Sequence, residues 1–212
     1  MAQLPHMDFR SNALSSPARV TARLIALLAF AALVAQMLAT MAANPDDSLG
    51  QVLWNRARYF TNLTAVLTLL TFLGMSMSGG GVHRLWIGGI TLWEALTGVI
   101  YHALLGKPLT GIDFWASHGL HTVLPVAVFL WWACFGRKTP LRMGAAIAWL
   151  SWPALYILYA LARGNADGRY PYFFLDPGQV RWDGVAVWSG IIGLAFFAGG
   201  LVLIFLARLI RR

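Results

Sequence analysis

Six apolar stretches, roughly 18–43, 59–78, 85–105, 117–135, 143–162 and 184–207, dominate this chain. Each is close to the ~20 residues with which a helix crosses the hydrocarbon of a bilayer. Lipid offers backbone amides no partners, so such runs must satisfy themselves as helices or close into a barrel. The alternation of polar and apolar residues that barrel strands carry is missing. The expectation is an all-α polytopic membrane protein, a bundle of six transmembrane helices. Composition agrees. Hydrophobic residues make up 58% of the chain and charged ones 11%, against about a quarter charged in a soluble domain.

The basic residues orient such a bundle. One side carries Arg10, Arg19, Arg23, Arg84, Arg137, Lys138, Arg142, Arg208, Arg211 and Arg212, ten in all. The other carries six: Arg56, Arg58, Lys107, Arg163, Arg169 and Arg181. The positive-inside rule then puts both termini in the cytoplasm. The net charge of +8 reads as topology and contact with anionic lipid, not as a nucleic-acid surface. Residues 1–17 are expected to form a flexible cytoplasmic tail and 18–212 a single six-helix domain. The first run is longer than the apolar core of a cleavable signal. The lone cysteine, Cys134, has no partner for an internal disulfide.

With this topology four polar segments meet at the outer end of the bundle. They are YFTNLT (59–64), YHALLG (101–106), ASHGLHT (116–122) and RYPYFFLDPGQVRW (169–182). Threonines in membrane helices commonly bond the carbonyl one turn back, and the aromatics of 169–182 fit an interfacial belt. Ionisable residues at membrane depth are costly and tend to be functional. His118 and His121 are three apart and so share a face on a helix. Pro125 has no N–H for the His121 carbonyl, which loosens the helix beneath that ring. A neutral imidazole takes up a proton near neutral pH. A threonine hydroxyl needs such a base to act as a nucleophile.

These segments resemble the androgen-induced protein family, which includes the androgen-dependent TFPI-regulating protein. YFT is similar to the family's aromatic–apolar–Thr helix start. SHGLHTVLP is similar to its Asn-His-Gly-Met-His-Thr…Leu-Pro stretch, and YPYFFLDPG to its Tyr-Pro-Phe-Leu…Gly-Pro-Gly loop. The likeness runs over residues 59 to 182, with Ser117 standing where the family has Asn and Ala65 following Thr64.

The resemblance implies a membrane threonine hydrolase that cleaves fatty acid esters of hydroxy fatty acids or similar lipidic esters. Thr61 falls on the family's nucleophile and His121 on its base, and no cofactor or metal is implied. It also implies bacterial six-span relatives and hence an inner-membrane location. Asn62, Tyr101, His102, His118, Tyr170 and Tyr172 are the surrounding candidates for substrate contact or for orienting the pair. Glu94 is the one acid inside a span, seven and eight residues before Tyr101 and His102 and thus on their face. It is expected to point into the bundle as a buried hydrogen-bonder. Non-enzymatic readings compete. In an electron carrier His102, His118 and His121 would serve as haem ligands, although axial histidines usually sit deep in facing helices. A proton-coupled transporter would use Glu94, but internal repeats with broken helices are not evident.

Overall fold

The computed structural model describes residues 13–136 and 141–210. The chain is helical throughout. Nine α-helices follow in order among the described residues: α1 (Ser16–Ala43), α2 (Leu49–Arg56), α3 (Phe60–Ser78), α4 (Arg84–Ile100), α5 (Gly111–His118), α6 (Leu124–Phe135), α7 (Gly144–Trp149), α8 (Ser151–Asp167) and α9 (Pro177–Leu209). Two π-helical turns interrupt this series. Tyr101–Leu105 prolongs α4, and Gly119–Val123 joins α5 to α6.

Five helical segments are long and apolar enough to cross a membrane: Ser16–Ala43, Phe60–Ser78, Gly111–Phe135, Gly144–Asp167 and Pro177–Leu209. The expected third span is the exception. Helix α4 has 17 residues and is the most enclosed of the set, with ten of them buried. It packs against α3, α6 and α9. Elsewhere large apolar side chains point outward, among them Leu24, Phe30, Leu158, Leu194 and Phe205. That outward apolar surface is what a lipid-facing bundle presents and a soluble one avoids.

The start of the first helix also differs from expectation. Residues 1–12 of the expected tail lie outside the described residues, but Ala13 bridges Gly80 and the Leu14 N–H donates to the Gly79 carbonyl at 2.8 Å. Helix α1 begins at Ser16, capped by the Ser15 hydroxyl. Arg19 then reaches across to the Ser76 and Met77 carbonyls at the end of α3. The Arg19 bonds satisfy carbonyls that a helix end leaves without partners, and together with the Leu14 bond they tie residues ahead of the first apolar run to the end of α3.

Small residues bring α1 close to its neighbours. Ala18, Ala22, Ala26, Ala29 and Ala32 are buried along one stripe, and such stripes let membrane helices approach closely. Polar bonds then tie the helices together. On α3, Thr64 accepts from Trp152 Nε1 at 3.0 Å, Thr71 accepts from Trp86 Nε1 at 2.9 Å, and Thr68 donates to Glu94 Oε1 at 2.6 Å. Glu94 is 1% exposed, so it does point inward, but its partner is Thr68 and not Tyr101 or His102. Replacing Glu94 by Gln keeps an acceptor for that hydroxyl, whereas Leu strands it at a cost of roughly 1–3 kcal/mol. Thermal unfolding in detergent is expected to rank Glu94→Gln above Glu94→Leu. Equal losses would remove the hydrogen bond from the account.

Candidate active site

Thr61 stands in the first turn of α3. The residue at the cap position, Tyr59, supplies no side-chain bond to the free N–H groups there. That role passes to a distant residue. The Tyr172 hydroxyl accepts from the Phe60 N–H at 3.1 Å and lies beside the Thr61 and Tyr156 hydroxyls. The loop over 168–176 is thereby fastened to the start of Thr61's helix. Burial pushes the Tyr172 phenol up to about 12. It stays protonated at neutral pH, and with its oxygen accepting from Phe60 its own proton is free to be donated.

His121 arrives from the other side. It lies in the π-turn between α5 and α6, where the hydrogen-bond ladder closes one residue late: the Leu124 N–H bonds the Gly119 carbonyl. Such turns are frequent at functional sites. Pro125 offers no N–H to the His121 carbonyl. The carbonyl instead packs onto α4 at Gly98, where a Cβ would lie 2.7 Å from it. Only glycine admits that approach without displacing the backbone that carries His121.

The Thr61 Oγ1 and His121 Nε2 atoms are 3.2 Å apart. At the far side of the ring, Nδ1 lies 2.9 Å from the Ser117 carbonyl. A carbonyl only accepts, so Nδ1 carries the hydrogen and Nε2 is left as the acceptor for the threonine hydroxyl. Tyr101 stacks on the imidazole with ring centroids 3.8 Å apart and an interplanar angle of 15°. Its phenol oxygen accepts from the Ser117 hydroxyl at 2.7 Å. One residue, Ser117, thus holds both the base and the ring stacked on it.

Two spaces meet at this pair. A vestibule of about 570 Å³, open at the protein surface, is lined by His121, Ser117, Asn62, Arg56, Lys107 and Asp113 among others. A narrow apolar cavity of about 50 Å³ runs between α4, α8 and α9 below Phe60. Thr61, Tyr101, Leu105 and Tyr172 line both spaces, whereas His121 lines the vestibule only.

The remaining candidates are placed less centrally. Asn62 lines the vestibule but spends its amide on the Arg56 carbonyl at 2.9 Å. His102 is exposed and pairs with Thr122 at 2.9 Å. His118 stacks on Phe114 with centroids 3.9 Å apart and bonds the Phe114 carbonyl at 3.1 Å. The shared face expected for His118 and His121 assumes an unbroken α-helix, and the π-turn that starts at Gly119 removes it. Tyr170 packs its ring against Gly164 and lines neither space. The three histidines bond three different partners, and among the described residues no three His, Cys, Asp or Glu side chains are grouped to hold a metal.

Charge supports the site from outside. Arg58, 5% exposed, donates to Asp167 at 2.9 and 2.5 Å and to the Arg169 carbonyl. Bonding to Asp167 raises the Arg58 pKa further. Arg163 lies over the Trp54 ring at 3.8 Å and donates to the Trp54 carbonyl at 2.6 Å. Tyr156 donates to the Arg58 carbonyl and Tyr159 to the Ala57 carbonyl. The residues just before Thr61 are therefore tied to α8 through the Trp54, Ala57 and Arg58 carbonyls. Sequence reading gave Ser117, Arg58 and Tyr156 no role at the site. Ser117, four residues before His121 and so one turn away, was the findable one. No protein-family profile, curated protein or solved structure matches the chain.

Proposed function

We propose that the chain is an intramembrane threonine hydrolase that cleaves lipidic esters such as fatty acid esters of hydroxy fatty acids, with Thr61 as nucleophile and His121 as base. The observation that carries the reading is the 3.2 Å contact of Thr61 Oγ1 with His121 Nε2 at the seam between a polar vestibule and an apolar cavity. A nucleophile, a base within hydrogen-bond reach and a third group orienting the base form the recurring pattern of covalent catalysis. Here the Ser117 carbonyl is the third group. It fixes the tautomer and steadies the imidazolium that forms when His121 takes the Thr61 proton. Donors must meet the oxyanion of the tetrahedral intermediate. The Tyr172 hydroxyl lies beside that of Thr61 and is the side chain best placed for it, since His102 and Asn62 are bonded elsewhere and the Tyr101 hydroxyl is held by Ser117 on the Nδ1 side of the ring.

The test is labelling of the purified protein by a fluorophosphonate, an electrophile that captures activated hydroxyls. Wild type should be labelled and Thr61→Ala should not. Labelling that survives Thr61→Ala would place the reactive hydroxyl elsewhere.

In this reading the protein spans the bacterial inner membrane six times with both termini in the cytoplasm, α4 and its π-turn making the third pass. The ten-to-six split of basic residues supports that orientation,. A membrane-impermeant thiol reagent applied to intact cells should modify single cysteines engineered into 44–57 or 165–180. Protection of both loops would reverse the orientation.

A further inference from the structure

We infer that an ester lies across Thr61 in one orientation, its acyl chain in the apolar cavity and its alcohol half in the vestibule, with Phe196 at the cavity floor setting the acyl length accepted. The inference rests on the threonine-hydrolase reading and follows from where the base can act. As the Thr61 Oγ–carbon bond forms, the hydroxyl proton passes to His121 Nε2. Collapse breaks the bond from the acyl carbon to the alcohol oxygen, and that oxygen takes the proton from Nε2. The alcohol leaves and the acyl group stays on Thr61. Water then adds to the acyl carbon, giving a proton to Nε2. The second collapse returns that proton to Oγ and releases the carboxylic acid.

Both the departing oxygen and the incoming water must therefore be within reach of Nε2. The imidazole cannot follow them into the cavity, because the Ser117 carbonyl bond of 2.9 Å and the Tyr101 stack at 3.8 Å fix it on the vestibule side. The alcohol half is thus confined to the space that Arg56, Asn62, Lys107 and Asp113 line. The cavity suits hydrocarbon. Below the seam with the vestibule its polar side chains are already engaged, Thr97 donating to the Trp93 carbonyl at 2.8 Å and Tyr156 to the Arg58 carbonyl at 2.9 Å. Its volume of about 50 Å³ makes it a narrow slot, several times the roughly 10–15 Å³ that a single water takes.

Helix direction identifies the floor. Helices α4 and α8 run toward the site end, so Thr97 and Pro153 are their deepest lining residues. Helix α9 runs away from it, which makes Phe196 its deepest. Phe196 is buried and meets Phe60, the neighbour of Thr61, edge to face with centroids 5.7 Å apart. An acyl chain running down from Thr61 ends against this ring.

Two isomeric esters separate the orientations. Ethyl octanoate and octyl acetate have the same atoms and differ only in which half carries the chain. The full-length protein in detergent micelles should favour ethyl octanoate in kcat/KM by roughly tenfold or more. Equal or reversed preference would overturn the orientation and leave the hydrolase reading in place. Hydrolysis of neither ester would overturn both. Phe196→Trp should shift the ratio of ethyl octanoate to ethyl butanoate hydrolysis toward butanoate by roughly tenfold. The gentler Phe196→Leu should shift preference toward ethyl palmitate. Ratios unmoved in both variants would take Phe196 out of the specificity role.

Discussion

Thr61→Ala is expected to lower hydrolysis of a lipidic ester by roughly 10³–10⁶-fold, the range seen when the nucleophile of a catalytic unit is removed. His121→Ala should fall in the same range. The double variant should lose little beyond either single one, because groups that act as a unit are not additive. Thr61→Ser keeps the hydroxyl and should keep a measurable part of the rate. His118→Ala should cost far less, since that ring bonds the Phe114 carbonyl and lines neither space. Steady-state kinetics in micelles checks the series. Single variants whose losses multiply in the double would show that Thr61 and His121 work independently, and a nearly fully active Thr61→Ala would end the threonine-hydrolase reading.

The largest expected effect on stability lies at Arg58. Breaking a buried ion pair from one side costs about 3–5 kcal/mol because the other charge is left uncompensated. The Asp167 side chain is 36% exposed and can rehydrate, which puts Arg58→Ala near the lower end, about 3 kcal/mol. Arg58→Lys retains the charge but not the two-pronged geometry and should fall between. Arg181→Ala is the control. Its pair with Asp183 is 87% and 77% exposed, and such surface pairs contribute about 0–1 kcal/mol. Thermal unfolding in one detergent ranks the three. An Arg58→Ala protein no less stable than Arg181→Ala would mean that the network around Asp167 does not hold the helix ends together.

Hydropathy made the helical membrane architecture legible, because run length alone excludes most alternatives. It was weakest at α4. That segment is apolar enough to be counted as a span, but it is enclosed by other helices and comprises 17 α-helical residues before the π-turn. Thr61 and His121 could be singled out because a motif placed them at the same end of the bundle. Their contact depends on groups with no motif of their own. Ser117 contributes a backbone carbonyl, which every residue has, and Gly98 contributes the absence of a Cβ. Tyr172 acts by capping a helix more than a hundred residues away in sequence. Arg58 and Asp167 read in sequence as interfacial charges on separate loops, and only the approach of α8 to the start of α3 makes them a pair. Conversely, His102, His118 and Tyr170 were attractive by residue type and by neighbourhood in sequence. The structure turns all three toward other partners.

The two π-turns carry a consequence for how such a site is inherited. A π-turn contains one residue more than the α-helical path it replaces, and one residue of α-helix is about 100° of rotation. Removing any one residue of Gly119–Val123 other than His121 would restore a regular helix and swing His121 away from Thr61 without changing either side chain. The stretch Tyr101–Leu105 is subject to the same arithmetic, with Tyr101 at stake. The contact of Thr61 with His121 is therefore specified by chain length as much as by residue identity. A homologue can keep every polar residue named above and still have lost the site through one deletion.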